Sequence, residues 1–313
     1  PLNTLRKTRE GVKHIIIGPE SYGQVAEPLR EYRDAKYGSI YASLETIYNE
    51  FSGGNADPFA IHSFLQWTQE YWQGTIPEYI LILGDADYDY KNITGKSKTI
   101  VPTIEVGIGG NSHCTDDRYA SINGKIPELA IGRYPAHSTN DVINFVEKIV
   151  KFESQPILGA WRQQLTLVAD DGARPYESSV NDEKTHTSNS EEVANLAHPA
   201  VQINKLYAIE YPEVNDASTF GVVRPDATDA ILNALEQGTA IINYIGHGSP
   251  SQWAQERLLV QDRDLDLINT GLRLPLWIAG TCSWGHFDDV DTEAFSEDII
   301  RLSINGACGI ITT

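Results

Sequence analysis

At 313 residues the chain has material for one large domain or two ordinary ones, with ample side chains for a buried core. A formal charge of −19 leaves no basic stripe to displace counterions from phosphate, which argues against nucleic acid and equally against an anionic membrane surface. Nothing approaches the roughly 20 apolar residues of a membrane span, and Pro1 to Lys7 is not a signal peptide. With no initiator methionine, and with Gly309 to Thr313 ending inside an apolar run, the chain is expected to be a fragment of a longer one.

In chain order, His14 to Ile17 is a short apolar strand, and Tyr22 to Tyr37 carries apolar residues at helical spacing. Tyr41 to Ile47 reads as a second, weaker strand. Asp57-Pro58 opens a helix whose buried face runs through Ile61, Phe64 and Leu65. Tyr79 to Leu83 is apolar throughout, as a parallel strand covered on both faces should be. It delivers Asp85, Asp87 and Asp89, three alternate acids that either hold a cation through oxygen or accept local backbone N–H bonds in a turn. Asp116-Asp117 poses the same choice.

Leu129 to Tyr134 is another strand, and Ser138 to Asp141 caps a helix through Val142, Phe145, Val146 and Ile149. Residues 153–161 make the seam between two halves. The second half repeats the plan: a strand Leu165 to Ala169 ending in Asp170-Asp171-Gly172, a polar loop over 173–190, a helix from Glu191, a strand Val201 to Tyr207, and a helix Asp226 to Glu236 closed by Gly238. Strands Ala240 to Ile245 and Leu274 to Ala279 follow, then a helix Glu293 to Ile304 and a last strand Ala307 to Thr312. This alternation implies right-handed crossovers and parallel sheets.

The chemistry gathers at two strand ends. Gly246-His247-Gly248-Ser249 follows one strand and Gly280-Thr281-Cys282-Ser283-Trp284-Gly285 the other, which is where open α/β sheets build sites. A thiol nucleophile needs a base and two oxyanion donors. Cys282 is the candidate nucleophile, His247 the base, and the N–H groups of Gly248 and Cys282 the oxyanion hole. His286 is the rival base, but it shares the loop of Cys282 and has difficulty facing it across a substrate. His113, His186 and His198 carry no comparable signal. Three cysteines give no disulfide framework; Cys308 belongs to a strand, and Cys114 lacks a second ligand at zinc spacing. Asp171, with Asp170 as the alternative, is the candidate to orient His247. Trp253 and Trp284 flank the reactive pair and are candidates for the substrate pocket, with a core role as the competing reading.

These residues resemble the gingipain-type cysteine peptidases, relatives of the caspases, clostripain and legumain. Within that family the likeness is nearest to the PorU-type surface sortases of the type IX secretion system. Besides the His247 and Cys282 stretches, it is carried by Ile47-Tyr48-Asn49-Glu50-Phe51-Ser52-Gly53-Gly54, Leu83-Gly84-Asp85-Ala86-Asp87-Tyr88-Asp89-Tyr90-Lys91, Ile131-Gly132-Arg133-Tyr134-Pro135, Val168-Ala169-Asp170-Asp171-Gly172 and Trp253-Ala254-Gln255-Glu256-Arg257.

The resemblance implies a caspase-like fold of doubly wound, mostly parallel sheets with helices on both faces, in two similar subdomains side by side. Residues 1–155 would be the non-catalytic subdomain and 156–313 the catalytic one. It implies a cysteine endopeptidase or transpeptidase that removes C-terminal sorting domains from secreted cargo and passes the acyl group to a surface acceptor such as lipopolysaccharide. Other secretion-system components would be partners, and the place of work would be the extracellular face of the outer membrane. No cofactor is required, although structural calcium is compatible with such folds. Arginine-cleaving members use an acid in the loop after the strand matching Leu165 to Ala169; His186 stands there instead, so trypsin-like specificity is not carried over. The competing function is a catalytically inactive relative serving as a scaffold in a surface secretion complex, and a second is a metal-dependent hydrolase built on Asp85, Asp87 and Asp89.

Overall fold

The computed structural model describes residues 4–107, 109, 112–171, 184–216 and 221–313. Internal contacts divide the chain into two units, Pro1–Val150 with Phe287–Asp291, and Lys151–His286 with Thr292–Thr313. A halving near residue 155 is what the linear pattern suggests; the excursion of Phe287–Asp291 into the first unit leaves no trace in that pattern.

The first unit is built on a parallel sheet of β1 (His14–Gly18), β2 (Ser39–Ser43), β3 (Tyr79–Leu83) and β4 (Ala130–Tyr134), in the order β2-β1-β3-β4. Ile15, Ile16 and Ile17 have no exposed surface, and each such side chain contributes about 1.5–3 kcal/mol of transfer free energy. Helices α1 (Gly23–Tyr37), α2 (Leu44–Phe51), α3 (Phe59–Tyr71) and α4 (Thr139–Ser154) accompany this sheet. The strand expected over Tyr41 to Ile47 stops at Ser43. There the Ser43 hydroxyl accepts the Thr46 N–H at 3.3 Å and caps α2, so Leu44 and Ile47 are buried from a helix instead.

The second unit carries a parallel sheet of β5 (Gln164–Ala169), β6 (Gln202–Tyr207), β7 (Ile241–Ile245), β8 (Leu276–Gly280) and β9 (Gly309–Thr312), in the order β9-β8-β7-β5-β6. Helix α5 (Thr185–Leu196) links β5 to β6, and α6 (Pro225–Gln237) links β6 back to β7. Because the two crossovers run in opposite directions along the sheet and both must be right-handed, they cover opposite faces. This is the doubly wound layout expected from the sequence, and its order reverses between β5 and β7. Most of the polar loop expected over 173–190 lies outside the described residues, but α5 begins at Thr185, well before the helix start read at Glu191. Helix α7 (Phe295–Arg301) precedes β9.

The core of the second unit is aromatic. Tyr244 stacks on Trp253 at 4.3 Å and 9°, and Trp253, Trp277 and Trp284 meet one another at centroid distances of 5.1–5.9 Å, all fully buried. Among the described residues no helix is long and apolar enough to cross a membrane.

Candidate active site

The sheet of the second unit sets its three key loops in register. Ala169 pairs with Ile245 and Ile245 with Gly280, so Asp171, His247 and Cys282 each stand two residues beyond a matched row of strand ends. Parallel neighbours lie about 4.8 Å apart, so the His247 and Cys282 loops start side by side. Asp170 and His247 flank the point at which the strand order reverses, the place where such sheets leave a crevice.

The backbone of His247 is held from three sides. Its N–H donates to Asp170 Oδ2 at 3.0 Å, and its carbonyl accepts the Tyr244 hydroxyl at 2.6 Å and the Ala254 N–H at 2.8 Å. Both flanking glycines are required by protein packing and not only by substrate access. A Cβ on Gly246 would overlap Asp170 Cβ and the Tyr244 hydroxyl, and one on Gly248 would overlap the Thr281 hydroxyl. The second of these contacts also sets the backbone of Gly248 directly against the residue before Cys282.

Past His247 the chain forms a small antiparallel ribbon of Gly248–Ser249, Gln252–Trp253 and Leu259–Val260. The bond from Ala254 N–H to His247 carbonyl makes Gly248 and Trp253 a non-hydrogen-bonded pair, so the ladder does not use the Gly248 N–H. The Cys282 N–H likewise meets no acceptor among the described residues. Among the described residues, neither expected oxyanion donor has an acceptor. Cys282 is exposed, and Ser283 after it adopts a left-handed φ of 56°, a conformation that costs a non-glycine residue energy and turns the loop sharply. The loop is anchored just past β9, where the Thr313 carbonyl accepts the Gly285 N–H at 2.8 Å.

An open cavity of about 330 Å³ is lined by His247, Gly248, Ser249, Gln252, Ala254 and Gln255. None of these is a carboxylate. Trp253 and Trp284, offered by the sequence as pocket walls, are absent from that lining and belong to the buried aromatic cluster. Trp253 stacks on Tyr244 from the ribbon that follows His247, and Trp284 comes after the sharp turn at Ser283, so both rings join the core. His286 is exposed on the loop after Cys282, and its N–H donates to Ser283 carbonyl at 3.2 Å.

The two acids after β5 have different surroundings. Asp171 is buried, and its Oδ2 accepts Arg224 Nη2 at 2.7 Å; Arg224 also reaches Glu213 at 2.7 Å. Asp170 is buried as well, with Oδ1 accepting the Asp171 N–H at 2.8 Å and Oδ2 the His247 N–H. A carboxylate oxygen of Asp170 also lies within 4.8 Å of a ring nitrogen of His247. Asp170 is thus the acid set beside the imidazole, while Asp171 is tied to a guanidinium.

Three groups to which the sequence gives no part in the site lie beside it. His186 on α5 meets the His247 ring edge to face, with centroids 5.1 Å apart at 86°, and burial lowers its pKa. Glu256 is buried against Asp170 and Asp171; burial first, and those two charges next, push its carboxyl up to about 8. Arg224 is the guanidinium beside them. Each approaches from a separate element, so only the sheet order reveals the cluster.

The other expected groups are elsewhere in the fold. Asp87 accepts the Asp89 and Lys98 N–H groups at 2.8 and 2.7 Å, and Asp89 accepts those of Ile93 and Thr94 at 2.8 and 2.7 Å. Asp85 faces His137 at 3.1 Å. Local N–H groups thus occupy the oxygens of Asp87 and Asp89 as in the turn reading. Cys114 is a poor nucleophile, because burial and the neighbouring Asp288 carboxylate push its thiol up.

Comparison with known proteins identifies the family and the fold. The model of peptidase family C25 matches residues 7–313. Gingipain R2 of Porphyromonas gingivalis is 22% identical over 302 residues, covering 95% of this chain and 36% of the relative. Gingipain R1 of the same species is 24% identical over 203 residues, covering 63% of this chain and 17% of the relative. The chain therefore spans about a third or less of the curated relatives it matches. Among solved structures, the complex of Porphyromonas gingivalis RgpB pro- and mature domains superposes with a TM-score of 0.70 at 21% identity, over 95% of this chain and 63% of that one. The crystal structure of the Arg-specific cysteine proteinase gingipain R gives the same TM-score and identity over 97% of this chain and 63% of that one. These neighbours share the caspase-like fold expected from the sequence. A match that runs from residue 7 to the last residue settles the family: the chain belongs to the cysteine peptidases of family C25, the gingipain family.

Proposed function

We propose that the second unit is a working acyl-transfer site with Cys282 as nucleophile and His247 as general base. The register of β7 and β8 carries this reading, since it starts both reactive loops at one level, and among the described residues the Gly248 and Cys282 N–H groups meet no acceptor. The Cys282 sulfur attacks a peptide carbonyl while its proton passes to His247. The N–H groups of Gly248 and Cys282 hold the oxyanion; the C–N bond then breaks as His247 returns the proton to the leaving amine. Asp170, beside the imidazole, is the orienting acid, and Asp171 holds Arg224 in place. A thioester remains. Water attacking it gives a peptidase, and an amine gives a transpeptidase.

The sequence strings shared with PorU-type sortases support the second outcome. On that reading the enzyme removes a C-terminal sorting domain at the outer cell surface and passes cargo to an acceptor such as lipopolysaccharide. Among the described residues no carboxylate lines the cavity beside His247, which favours an uncharged side chain before the scissile bond, unlike the Arg-specific relative.

Mass spectrometry after exposure to a peptide chloromethyl ketone series tests both points. Single labelling at Cys282, fastest with uncharged side chains, supports the reading. Labelling of Cys282 no faster than of Cys114 would instead favour an inactive scaffold, and fastest labelling by an arginine ketone would reject the specificity.

A further inference from the structure

Around the proposed base the structure gathers a donor set in which acyl transfer gives His186 no role. A carboxylate oxygen of Asp170 and one ring nitrogen each of His186 and His247 lie within 4.8 Å of one another. Two imidazoles bound to one tetrahedral ion through nitrogen at about 2.0–2.1 Å hold their centroids about 5 Å apart. The rings of His186 and His247 are 5.1 Å apart and nearly perpendicular, so they already stand at that spacing. Donor atoms on such an ion are about 3.3 Å apart, which a modest turn of the half-buried His186 side chain on α5 reaches.

The carboxylate is preset. Asp170 is 1% exposed and fixed by the Asp171 and His247 N–H groups, the kind of supporting hydrogen bonds that orient a metal ligand. Behind it, oxygens of Asp170, Asp171 and Glu256 lie within 4.8 Å of one another, with Arg224 bonded to Asp171, and Glu256 Oε2 is buried with no hydrogen-bond partner among the described residues. Several buried acids around one guanidinium favour an added positive charge. Two imidazoles and a carboxylate suit a first-row divalent ion such as zinc and leave a fourth position open.

We propose that Asp170, His186 and His247 form a binding site for a zinc-like divalent cation, and that its occupancy switches the peptidase off. The ion takes the ring-nitrogen lone pair that would accept the Cys282 proton. This second half rests on the reading of His247 as the base; the binding itself does not.

The test is zinc titration by calorimetry on the unmutated chain, on Cys282→Ala, on His186→Gln and on His198→Gln, the last at an exposed histidine near the end of α5. One zinc per chain is expected in the first, second and fourth, weakened at least about tenfold in His186→Gln, since a lost outer or inner ligand interaction typically costs 10–100-fold. Cobalt bound to the unmutated chain should show tetrahedral visible bands without thiolate charge-transfer intensity, a readout independent of how any variant folds. Equal affinity in His186→Gln, or a charge-transfer band that vanishes in Cys282→Ala, overturns the site. In turnover assays zinc should inhibit, with the inhibition constant rising in His186→Gln by the same factor as the binding constant. Stoichiometric, His186-dependent zinc that leaves turnover untouched overturns the switch while the site stands. A chain that binds zinc as described yet turns over no substrate refutes the acyl-transfer reading and not the cation site.

Discussion

The two units arrange their strands in the same order through the fourth, yet among the described residues only the second sets a thiol and an imidazole beyond neighbouring strand ends. In the second unit the reversal point opens on Asp170 and His247 with Cys282 one strand away. In the first unit the equivalent ends are those of β1 and β3, and they are filled. Tyr41 donates its hydroxyl to Pro19 carbonyl at 2.7 Å, and a Cβ on Gly18 would stand 3.0 Å from Leu83 carbonyl. Beyond β3, the Arg133 guanidinium donates to the carbonyls of Gly84 and Val101 at 2.6 and 2.7 Å and pairs with Asp116 at 2.7 Å. A shared topology provides a crevice, and the residues decide whether it holds substrate or structure.

The largest expected difference separates the two nearest analogues of a strand-end acid or nucleophile. Cys282→Ala should lower kcat by at least about 10⁴-fold with an unchanged melting temperature, because it removes the atom that forms the acyl bond and nothing that packs. Asp85→Asn, at the end of β3, should change kcat less than about twofold. Steady-state assays on both variants check this, and comparable losses would mean the first unit takes part in chemistry.

The converse holds for stability. Arg133 is 7% exposed on its side chain and satisfies carbonyls from several loops. Arg133→Met would leave Asp116, only 13% exposed, without its guanidinium and should cost about 3–5 kcal/mol, read from the urea midpoint. Turnover per folded molecule should stay near wild type. Gly248→Val reverses that pattern: it displaces an oxyanion donor and overlaps Thr281, so about 10²–10³-fold in kcat should be lost. A Thr281→Ala change added to it should restore packing sooner than rate, which would separate the steric part from the electrostatic one.

How much of this was legible beforehand follows from whether a feature is local. Tyr79–Leu83 could be read because an unbroken apolar run has few uses besides a covered strand. His247 and Cys282 could be read because glycines and strand ends mark them within a few residues. Leu44 to Ile47 was misread as strand, since Ser43 as a cap outweighs the apolar run that follows. Asp170 and Asp171 could not be ranked: consecutive residues of an extended segment face opposite ways, and which way is fixed by β7 and Arg224. Trp253 and Trp284 lie in the core and not on a pocket wall because of stacking on Tyr244 and the turn at Ser283, neither of which a linear pattern shows. His186 sat in what read as a polar loop, and its meeting with His247 depends on how α5 returns across the sheet.

The smallest expected effect concerns Glu256, which has no counterpart at the filled end of the first unit's sheet among the residues described above. Its carboxyl is raised from an ordinary value of 4.5 to about 8, chiefly by burial and then by Asp170 and Asp171. The folded state therefore holds this proton more tightly than the unfolded state does. The sign follows: stability from this group is full below the unfolded value of 4.5 and is lost as pH rises toward about 8. Glu256→Gln keeps the shape and removes the titration. Its melting temperature should fall less between pH 5 and pH 9 than that of the wild type, by at least about 4 °C, since 1 kcal/mol shifts a unit of this size by about 2–4 °C. Parallel thermal melts across that range would show the two curves converging at the acid end. Curves that instead separate at low pH would mean the carboxyl is ionised in the folded chain, and Arg224 would then have to serve both Asp171 and Glu256.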